Sequence, residues 1–289
     1  MLFRLLIAIA LSSAVSVSWA LPDATVEGVQ LPAWLTRDGK RQPLGAGTPL
    51  RSRDEVSTGA DARLLLRLAD GSVVKLGENA SLQLSSLAQR RDQNLLTATL
   101  KVLTGAFRFT TDAVLRSRSR RDIRVQFPTV TAGIRGTDIW GKNLEDKEVV
   151  VLIEGQISIS RTGDAPREMK DPLTYLQAPR SGPASVQAVP AEQLQAWAAE
   201  TEITGGRGAI KQGGRWKLVI AEAGSQTEAL ALYDQLRGEG FPVRIVSDSS
   251  AERPIFRIRL SGFPNRQEAS ALGERIGKRF PELRPVVTQ

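Results

Sequence analysis

The sequence predicts an all-β domain followed by a small α+β domain. Strand and turn patterns dominate from Val26 to about Ile159. From Arg215 to Gln289 the pattern instead alternates, in the order strand, helix, strand, strand, helix, strand. Residues 177–214 lie between these regions and are rich in Pro, Ser and Gly, as expected of a connector. A chain of 289 residues has room for about two domains, which agrees with this division.

The composition excludes several classes of function. The chain has no cysteine, which excludes disulfides, thiol catalysis and lipid attachment at cysteine. It also has no histidine, the most frequent general base and metal ligand. We therefore expect no metal, no cofactor and no enzymatic activity. The formal net charge of +8 favours an anionic partner such as an envelope polymer, an anionic lipid or a nucleic acid.

Residues 1–20 have the pattern of a secretory signal peptide. Arg4 supplies a basic start, Leu5 to Val17 form an apolar run, and Ser18-Trp19-Ala20 resembles a cleavage site. The run is shorter than the roughly 20 apolar residues that a membrane span needs. We expect cleavage after Ala20 and an exported protein with no stable membrane span, and an uncleaved anchor is the alternative.

Three units of strand, glycine turn and strand organise the first domain, residues 21–176. The clearest unit turns at Asp70-Gly71 between two apolar runs, which is a strong hairpin signal. The other two turn at Thr104-Gly105 and Glu154-Gly155. Such units, spaced tens of residues apart, predict a layered β sandwich or a short solenoid.

An Arg-Gly-Thr-Asp motif lies between the second and third units. Gly133 and Gly136 permit tight turns or a positive φ. Arg135 and Asp138 are close enough in sequence to pair across such a turn. No nucleophile and base accompany them, so we interpret the four residues as a structural turn motif in which an ion pair locks a corner.

These features resemble the FecR domain, an exported bacterial β domain. The resemblance rests on Arg135–Asp138, the hairpin Leu68–Ser72, the strand pair Leu103–Phe109 and Glu154-Gly155, and it covers roughly Val26 to Leu176. It implies exported regulation or scaffolding, with an envelope protein as the partner. In the best-known arrangement the domain follows a membrane span and relays a signal to a sigma factor. We expect no such span here, so we do not transfer that role.

The connector is predicted to contain one short helix and one flexible segment. From Pro190 to Ile203, Leu194 and Trp197 fall on one helical face. Gly205 to Gly214 carries five glycines and is predicted to be a flexible tether.

The C-terminal domain, residues 215–289, is predicted to be a βαββαβ module. Helices are expected at about Ser225–Arg237 and Arg266–Phe280, and their apolar stripes must cover the same face of the sheet. The predicted strands are Trp216–Ile220, Val243–Val246, Ile255–Leu260 and Arg284–Thr288.

Strand alternation places basic side chains on the sheet face that the helices leave open. The candidates for this face are Lys217, Val219, Arg244, Arg257 and Arg259. A basic, uncovered sheet face predicts a binding surface for an anion. A face that is merely solvated is the alternative.

The same segment resembles a SPOR domain, the bacterial peptidoglycan-binding repeat, which has a ferredoxin-like fold. The resemblance rests on Trp216–Leu218, Gly238–Phe241 and Phe256–Phe263. It implies a periplasmic location and binding to denuded glycan, meaning strands stripped of their stem peptides. Such strands expose lactyl carboxylates, which Arg257 and Arg259 could bind by charge-assisted hydrogen bonds.

Two departures from the family pattern keep a second function open. Val219 stands where the family usually has Gln, and Ala221-Glu222-Ala223 replaces a Gly-small-Phe ending. The alternative is therefore an exported FecR-like signalling or scaffold protein whose SPOR-like domain does not bind glycan.

Two further classes are disfavoured. An RNA-recognition domain shares the βαββαβ order but needs stacking aromatics on its open face, where Arg257 and Arg259 stand here. A glycosidase would need two paired carboxylates, for which Asp138 and Glu154 are the candidates, but scattered acids are usually surface charge. We therefore expect a periplasmic protein that binds peptidoglycan glycan, with the FecR-like domain as scaffold or partner-binding module, and no nucleic-acid partner.

Overall fold

The computed structural model describes residues 23–90, 95–111, 120–248 and 254–289. The predicted signal peptide, residues 1–20, lies outside these ranges. Within them, no helix is long and apolar enough to cross a membrane.

The first domain consists of strands β1 to β18 and helix α1. The strands are β1 Ala24–Gln30, β2 Ala33–Arg37, β3 Lys40–Pro43, β4 Pro49–Leu50, β5 Glu55–Thr58, β6 Arg63–Leu68, β7 Val73–Leu76, β8 Ser81–Arg90, β9 Leu95–Thr110, β10 Arg120–Gln126, β11 Val130–Ile134, β12 Asp138–Asn143, β13 Lys147–Glu154, β14 Ile157–Arg161, β15 Arg167–Met169, β16 Thr174–Pro179, β17 Ser185–Ala188 and β18 Ala209–Lys211. Helix α1 spans Ala191–Thr201.

Two sheets share the long strand β9. Its first half pairs with β8 and, in parallel, with β10, whereas its second half pairs with β7 and β12. The first sheet has the order β18-β1-β6-β7-β9-β12-β13-β16-β17. The second has the order β3-β2-β5-β8-β9-β10-β11-β14-β15. A strand that passes from one sheet to the other joins two layers around a common core.

The core of the first domain follows the alternation of buried and outward-facing residues that is usual in β-strands. In β6, Leu64, Leu66 and Leu68 are buried while the intervening residues face outward. Phe107 and Phe109 extend the same pattern along β9. Buried residues of both sheets form one apolar cluster, so the predicted all-β fold is confirmed as a sandwich.

Helix α1 covers part of the outer face of the first sheet. Trp197 stacks on Trp140 with ring centroids 5.0 Å apart, and its edge meets Tyr175 at 5.5 Å. The helix lies within residues 190–203, where the spacing of Leu194 and Trp197 predicted it. Its last turn and C-cap are held by ion pairs of Glu200 with Lys142 and of Glu202 with Lys75 and Arg108.

The C-terminal domain has the predicted order βαββαβ. Its elements are β19 Trp216–Ala223, α2 Gln226–Gly238, β20 Arg244–Asp248, β21 Ile255–Phe263, α3 Arg266–Arg279 and β22 Val286–Thr288. The strands form an antiparallel sheet in the order β20-β21-β19-β22. Ser225 and Asn265 cap the two helices, each accepting a backbone N–H three residues on. The fold class predicted for this domain is confirmed.

The segment predicted to be a flexible tether, Gly205–Gly214, is ordered, which corrects that prediction. Strand β18 lies within it and pairs with β1, placing Lys211 opposite Gly28. The carboxylate of Glu268 in α3, only 5% exposed, binds the same segment from the other domain. It accepts the backbone N–H groups of Gly206 at 2.6 Å, Gly208 at 2.8 Å and Ala209 at 2.9 Å. A segment with many glycines is flexible only if no strand or side chain binds its backbone, and here both do.

The C-terminal domain contacts the sandwich through its helical side. Gly240, which follows α2, has φ +84° and packs against Trp34 and Pro32 of the first domain. A Cβ at position 240 would lie 2.7 Å from the Trp34 ring and 2.9 Å from Pro32. Arg275 of α3 donates a hydrogen bond to the Leu31 carbonyl at 2.9 Å. The close approach of the two domains therefore requires glycine at position 240.

Replacing Gly240 with alanine is expected to destabilise the chain by roughly 2–4 kcal/mol, because backbone strain and steric overlap add at this site. Gly39→Ala is the matched control, since Gly39 has φ +74° but a methyl group there would meet nothing within 4 Å. Chemical denaturation gives the unfolding free energy of both variants. The loss in Gly39→Ala measures backbone strain alone, and the additional loss in Gly240→Ala measures the steric overlap with Trp34 and Pro32. Equal losses of stability would mean that the contact between the domains contributes nothing at Gly240.

Candidate functional site

The open face of the C-terminal sheet is formed by side chains that alternate with the buried residues of β19 and β21. Leu218, Ile220, Ile258 and Leu260 are buried toward the helices. Strand register places Val219 opposite Arg259, and Arg259 opposite Arg244. The residues predicted for this face therefore lie on one side of the sheet. They are Lys217, Val219, Arg244, Arg257 and Arg259.

A bulge in β19 adds one acidic residue, Glu222, to the open face. The register shifts between Val219 and Ala221, so that Glu222 lies opposite Arg257. Strict alternation would have placed Glu222 on the side of Leu218 and Ile220. The bulge could not be predicted from the periodicity, and it makes the open face less basic than expected.

Arg257 is held by two carboxylates. Its Nε donates to Glu222 at 2.7 Å and its Nη1 donates to Asp248 at 2.7 Å. These two hydrogen bonds, with Glu222 contributing most, raise the pKa of Arg257. Arg257 therefore keeps its positive charge, but two carboxylates hold it in place and compensate that charge. It is not the free cation that the sequence suggested.

Arg259 is different because its guanidinium is not compensated. Its Nε is buried and has no hydrogen-bond partner among the described residues. No carboxylate of the described chain lies within ion-pair distance of it. Arg244, directly across from it on β20, adds a second positive charge. An uncompensated donor at the centre of an open face is the arrangement that an incoming anion would satisfy.

A cleft of about 840 Å³ lies over this face. Lys217, Val219, Arg257 and Arg259 are the residues of the open face that line it. Its remaining lining residues include Glu228, Glu282, Arg284, Val286 and Thr288. All of its lining residues belong to the C-terminal domain. Since the sandwich contacts the helical side, the docked first domain leaves the cleft accessible.

The Arg-Gly-Thr-Asp motif is a turn, but its ion pair is not the predicted one. Gly136 has φ +69°, as expected of a glycine turn, and Gly133 lies in β11 under the Ser158 hydroxyl. Asp138 binds Arg108 of β9 through both carboxylate oxygens, at 2.9 and 2.7 Å. Arg135 is exposed and does not pair with Asp138. Sequence proximity favoured Arg135, whereas the antiparallel pairing of β9 and β12 brings Arg108 beside Asp138.

Asp138→Asn is expected to destabilise the chain by about 2 kcal/mol or more, because a bidentate bond to the half-buried Arg108 is lost. The Asp138 bond is also the main cause that raises the pKa of Arg108. Arg135→Gln should change the unfolding free energy by no more than about 0.5 kcal/mol, as an exposed substitution. Denaturant titration of both variants tests the assignment. A larger loss in Arg135→Gln would restore the pairing inferred from the sequence.

The two carboxylates considered for catalysis lie opposite each other, and Asp138 is already engaged. Asp138 and Glu154 are partners in the register of β12 and β13. Both oxygens of Asp138 accept hydrogen bonds from Arg108. Within the described ranges, no group of three or more His, Cys, Asp or Glu side chains could hold a metal ion.

Fold and site together define a class of protein: a β sandwich that carries an α+β binding module with an open sheet face. Comparison with family models gives the same division. The model of the FecR protein family matches residues 54–158, and that of the SPOR domain matches residues 212–282. The chain therefore contains a FecR domain followed by a SPOR domain. The FecR match runs from β5 to β14, and the sandwich extends beyond it at both ends.

Two solved structures from Parabacteroides distasonis ATCC 8503, each described as a proposed anti-sigma factor, resemble parts of the chain. One is 12% identical, with a TM-score of 0.41, and covers 70% of this chain and 97% of its own. The other is 14% identical, with a TM-score of 0.40, and covers 81% of this chain and 98% of its own. These values are too low to transfer a property of those proteins. No curated protein matches the chain.

Proposed function

We propose that this protein is a periplasmic cell-envelope protein that binds peptidoglycan glycan strands through its SPOR domain. The FecR domain serves as scaffold or as the binding module for an envelope protein. Neither domain acts as an enzyme in this proposal. The polymer would lie in the cleft over the open sheet face.

The single observation that carries the proposal is Arg259. Its buried Nε lacks a hydrogen-bond acceptor within the described chain, and the residue lines an accessible cleft. A lactyl carboxylate on glycan without stem peptides supplies an acceptor of the right charge. Arg244 and Lys217 flank Arg259 and add favourable long-range attraction for a polyanion.

The choice of glycan over other anions follows from the family and from the predicted export. A SPOR domain is a peptidoglycan-binding type of module, and residues 1–20 have the pattern of a secretory signal. Export to the periplasm would bring the cleft to its polymer. The open face also carries no stacking aromatic among the residues predicted for it, which disfavours single-stranded nucleic acid.

The pairing of Arg257 with two carboxylates supports a second candidate function. Glu222 and Asp248 reduce the positive charge that the face offers to an anion. If this reduction abolishes glycan binding, the protein acts as an exported FecR-type signalling or scaffold protein. Its partner would then be another envelope protein, and the SPOR domain would serve as a structural extension of the sandwich.

Co-sedimentation with cell-wall sacculi distinguishes the two candidates. The mature chain should be used, since the two domains pack against each other. We expect more protein to sediment with amidase-treated sacculi, which lack stem peptides, than with untreated sacculi. Failure to sediment with either preparation at low and moderate salt would leave the scaffold function as the better account.

A further inference from the structure

A second cleft, of about 350 Å³, lies between the two domains and away from the open sheet face. The sandwich contributes Gln30 and Asp61, the connecting segment contributes Arg207, and helix α3 contributes Glu274, Arg275 and Lys278. Its volume is near the lower end of the roughly 300–1,000 Å³ that is typical of small-molecule sites. Clefts between domains are frequent ligand sites, and a ligand bound in such a cleft contacts both domains.

Gln30 offers this cleft an unsatisfied acceptor. Its side chain is 3% exposed, and its Nε2 donates to the backbone carbonyl of Asp61. That hydrogen bond fixes the orientation of the amide, leaving Oε1 as the free end. Oε1 is buried and has no partner among the described residues. A buried acceptor of this kind is satisfied by a water molecule or by a ligand's hydroxyl or ammonium group.

Arg275 offers the same cleft an uncompensated cation. Its guanidinium donates to the carbonyls of Leu31 at 2.9 Å and Arg207 at 3.1 Å, which are neutral acceptors. In the part of the chain that the structure describes, no carboxylate lies within ion-pair distance of it. Burial lowers the pKa of Arg275, while the more distant charge of Asp61 raises it. The site thus holds a partly desolvated positive charge without a direct counter-ion.

The other charges of the cleft leave it weakly positive. Arg207 and Lys278 are exposed at its edge, and neither forms an ion pair within the described ranges. Asp61 and Glu274 are the acids that line it. Three cations against two acids favour a small ligand with one negative charge over a polyanion.

We propose that this cleft between the domains binds a small carboxylate that carries a hydroxyl or ammonium group on the neighbouring carbon, that is, a hydroxy acid or an amino acid. The carboxylate lies among Arg207, Arg275 and Lys278, and the hydroxyl or ammonium group donates to Gln30 Oε1. The site is separate from the cleft assigned to glycan and does not depend on glycan binding.

Occupancy of this cleft would stabilise the docked arrangement of the domains. The ligand's contacts come from the sandwich, the connecting segment and α3, so a ligand that bridges them binds only the docked state. Such a ligand raises the apparent stability of that state by mass action. The site thereby couples the concentration of a small metabolite to the geometry in which the SPOR domain is held.

Titration of the mature chain with lactate and with propionate tests the proposal directly. The two acids are nearly the same size, but only lactate can donate to Gln30 Oε1. We expect lactate to bind roughly tenfold more tightly at constant ionic strength, with NMR shifts at Gln30 and α3, since one hydrogen bond in a buried site separates them. Identical titrations for the two acids, or shifts confined to other surfaces, would overturn the proposal.

Three variants extend this test without removing hydrogen bonds between the domains. The double variant Arg207→Gln and Lys278→Gln removes two exposed charges of the cleft and should weaken lactate binding several-fold. Lys40→Gln with Lys101→Gln removes two exposed charges elsewhere and should leave it unchanged. Gln30→Leu should abolish the preference for lactate over propionate. Equal weakening by both double variants would indicate only general charge attraction and would contradict a built site.

Discussion

Replacing Arg259 with glutamine is expected to reduce binding of the mature chain to amidase-treated sacculi by roughly tenfold or more. A charge-assisted hydrogen bond to a carboxylate contributes about 1.5–3 kcal/mol, and each 1.4 kcal/mol is a factor of ten in affinity. Arg259 should dominate because its Nε has no partner within the described chain, whereas Arg257 is already bound by two carboxylates. The measurement is a sedimentation isotherm at fixed salt.

Arg266→Gln is the matched control for this experiment. Arg266 begins α3, is exposed, and lies on the helical side of the domain. The Arg266→Gln substitution removes one positive charge, as Arg259→Gln does, but leaves the open face unchanged. The binding isotherm of this variant should therefore equal that of the unmodified protein. If both variants lose affinity equally, binding reflects net charge alone. If neither loses affinity, the open face is not where the glycan binds.

Replacing Glu268 with glutamine is expected to destabilise the chain by roughly 3 kcal/mol. The carboxylate accepts three backbone N–H groups of the connecting segment through its two oxygens. An amide keeps only one acceptor oxygen and directs an NH2 group at a buried N–H, so at least one donor is left unsatisfied. Hydrogen bonds to a charged group are among the strongest in a folded chain, and leaving their buried partners unpaired is costly.

The loss should appear in two measurements. The unfolding free energy from denaturant titration should fall, and limited proteolysis within residues 205–214 should accelerate, because the released segment becomes accessible. Glu274→Gln in the same helix is the control, since Glu274 is exposed and should change stability by no more than about 0.5 kcal/mol. Unchanged proteolysis in Glu268→Gln would mean that β18 pairing with β1 alone orders the segment.

Much of the fold could be predicted because local patterns and the tertiary structure agree. The period of two along β21 and the helical stripes of α2 and α3 recur in the structure. In each case the apolar residues of one strand or helix face recur at a fixed spacing, and they pack together on the buried side of that element. Strands and helices can be predicted from the sequence where their buried residues recur at a fixed spacing.

The charges of the candidate site could not be predicted in the same way. Which carboxylate meets Arg257 depends on a bulge at Val219–Ala221 that shifts Glu222 across the sheet. Which arginine meets Asp138 depends on the pairing of β9 with β12, strands far apart in sequence. Ion pairs are set by register and by long-range neighbours, and neither leaves a periodic signal.

The sequence alone determined that an all-β domain precedes a βαββαβ module and that arginines occupy the uncovered side of the module's sheet. These follow from hydrophobic periodicity, which each segment carries by itself. Only the tertiary structure decided that Arg259 has no counter-ion among the described residues, that Glu268 binds the glycine-rich connection, and that Gln30 and Arg275 face one cleft. Those outcomes depend on groups brought together from distant parts of the chain, because hydrogen-bond and charge compensation are properties of the folded neighbourhood.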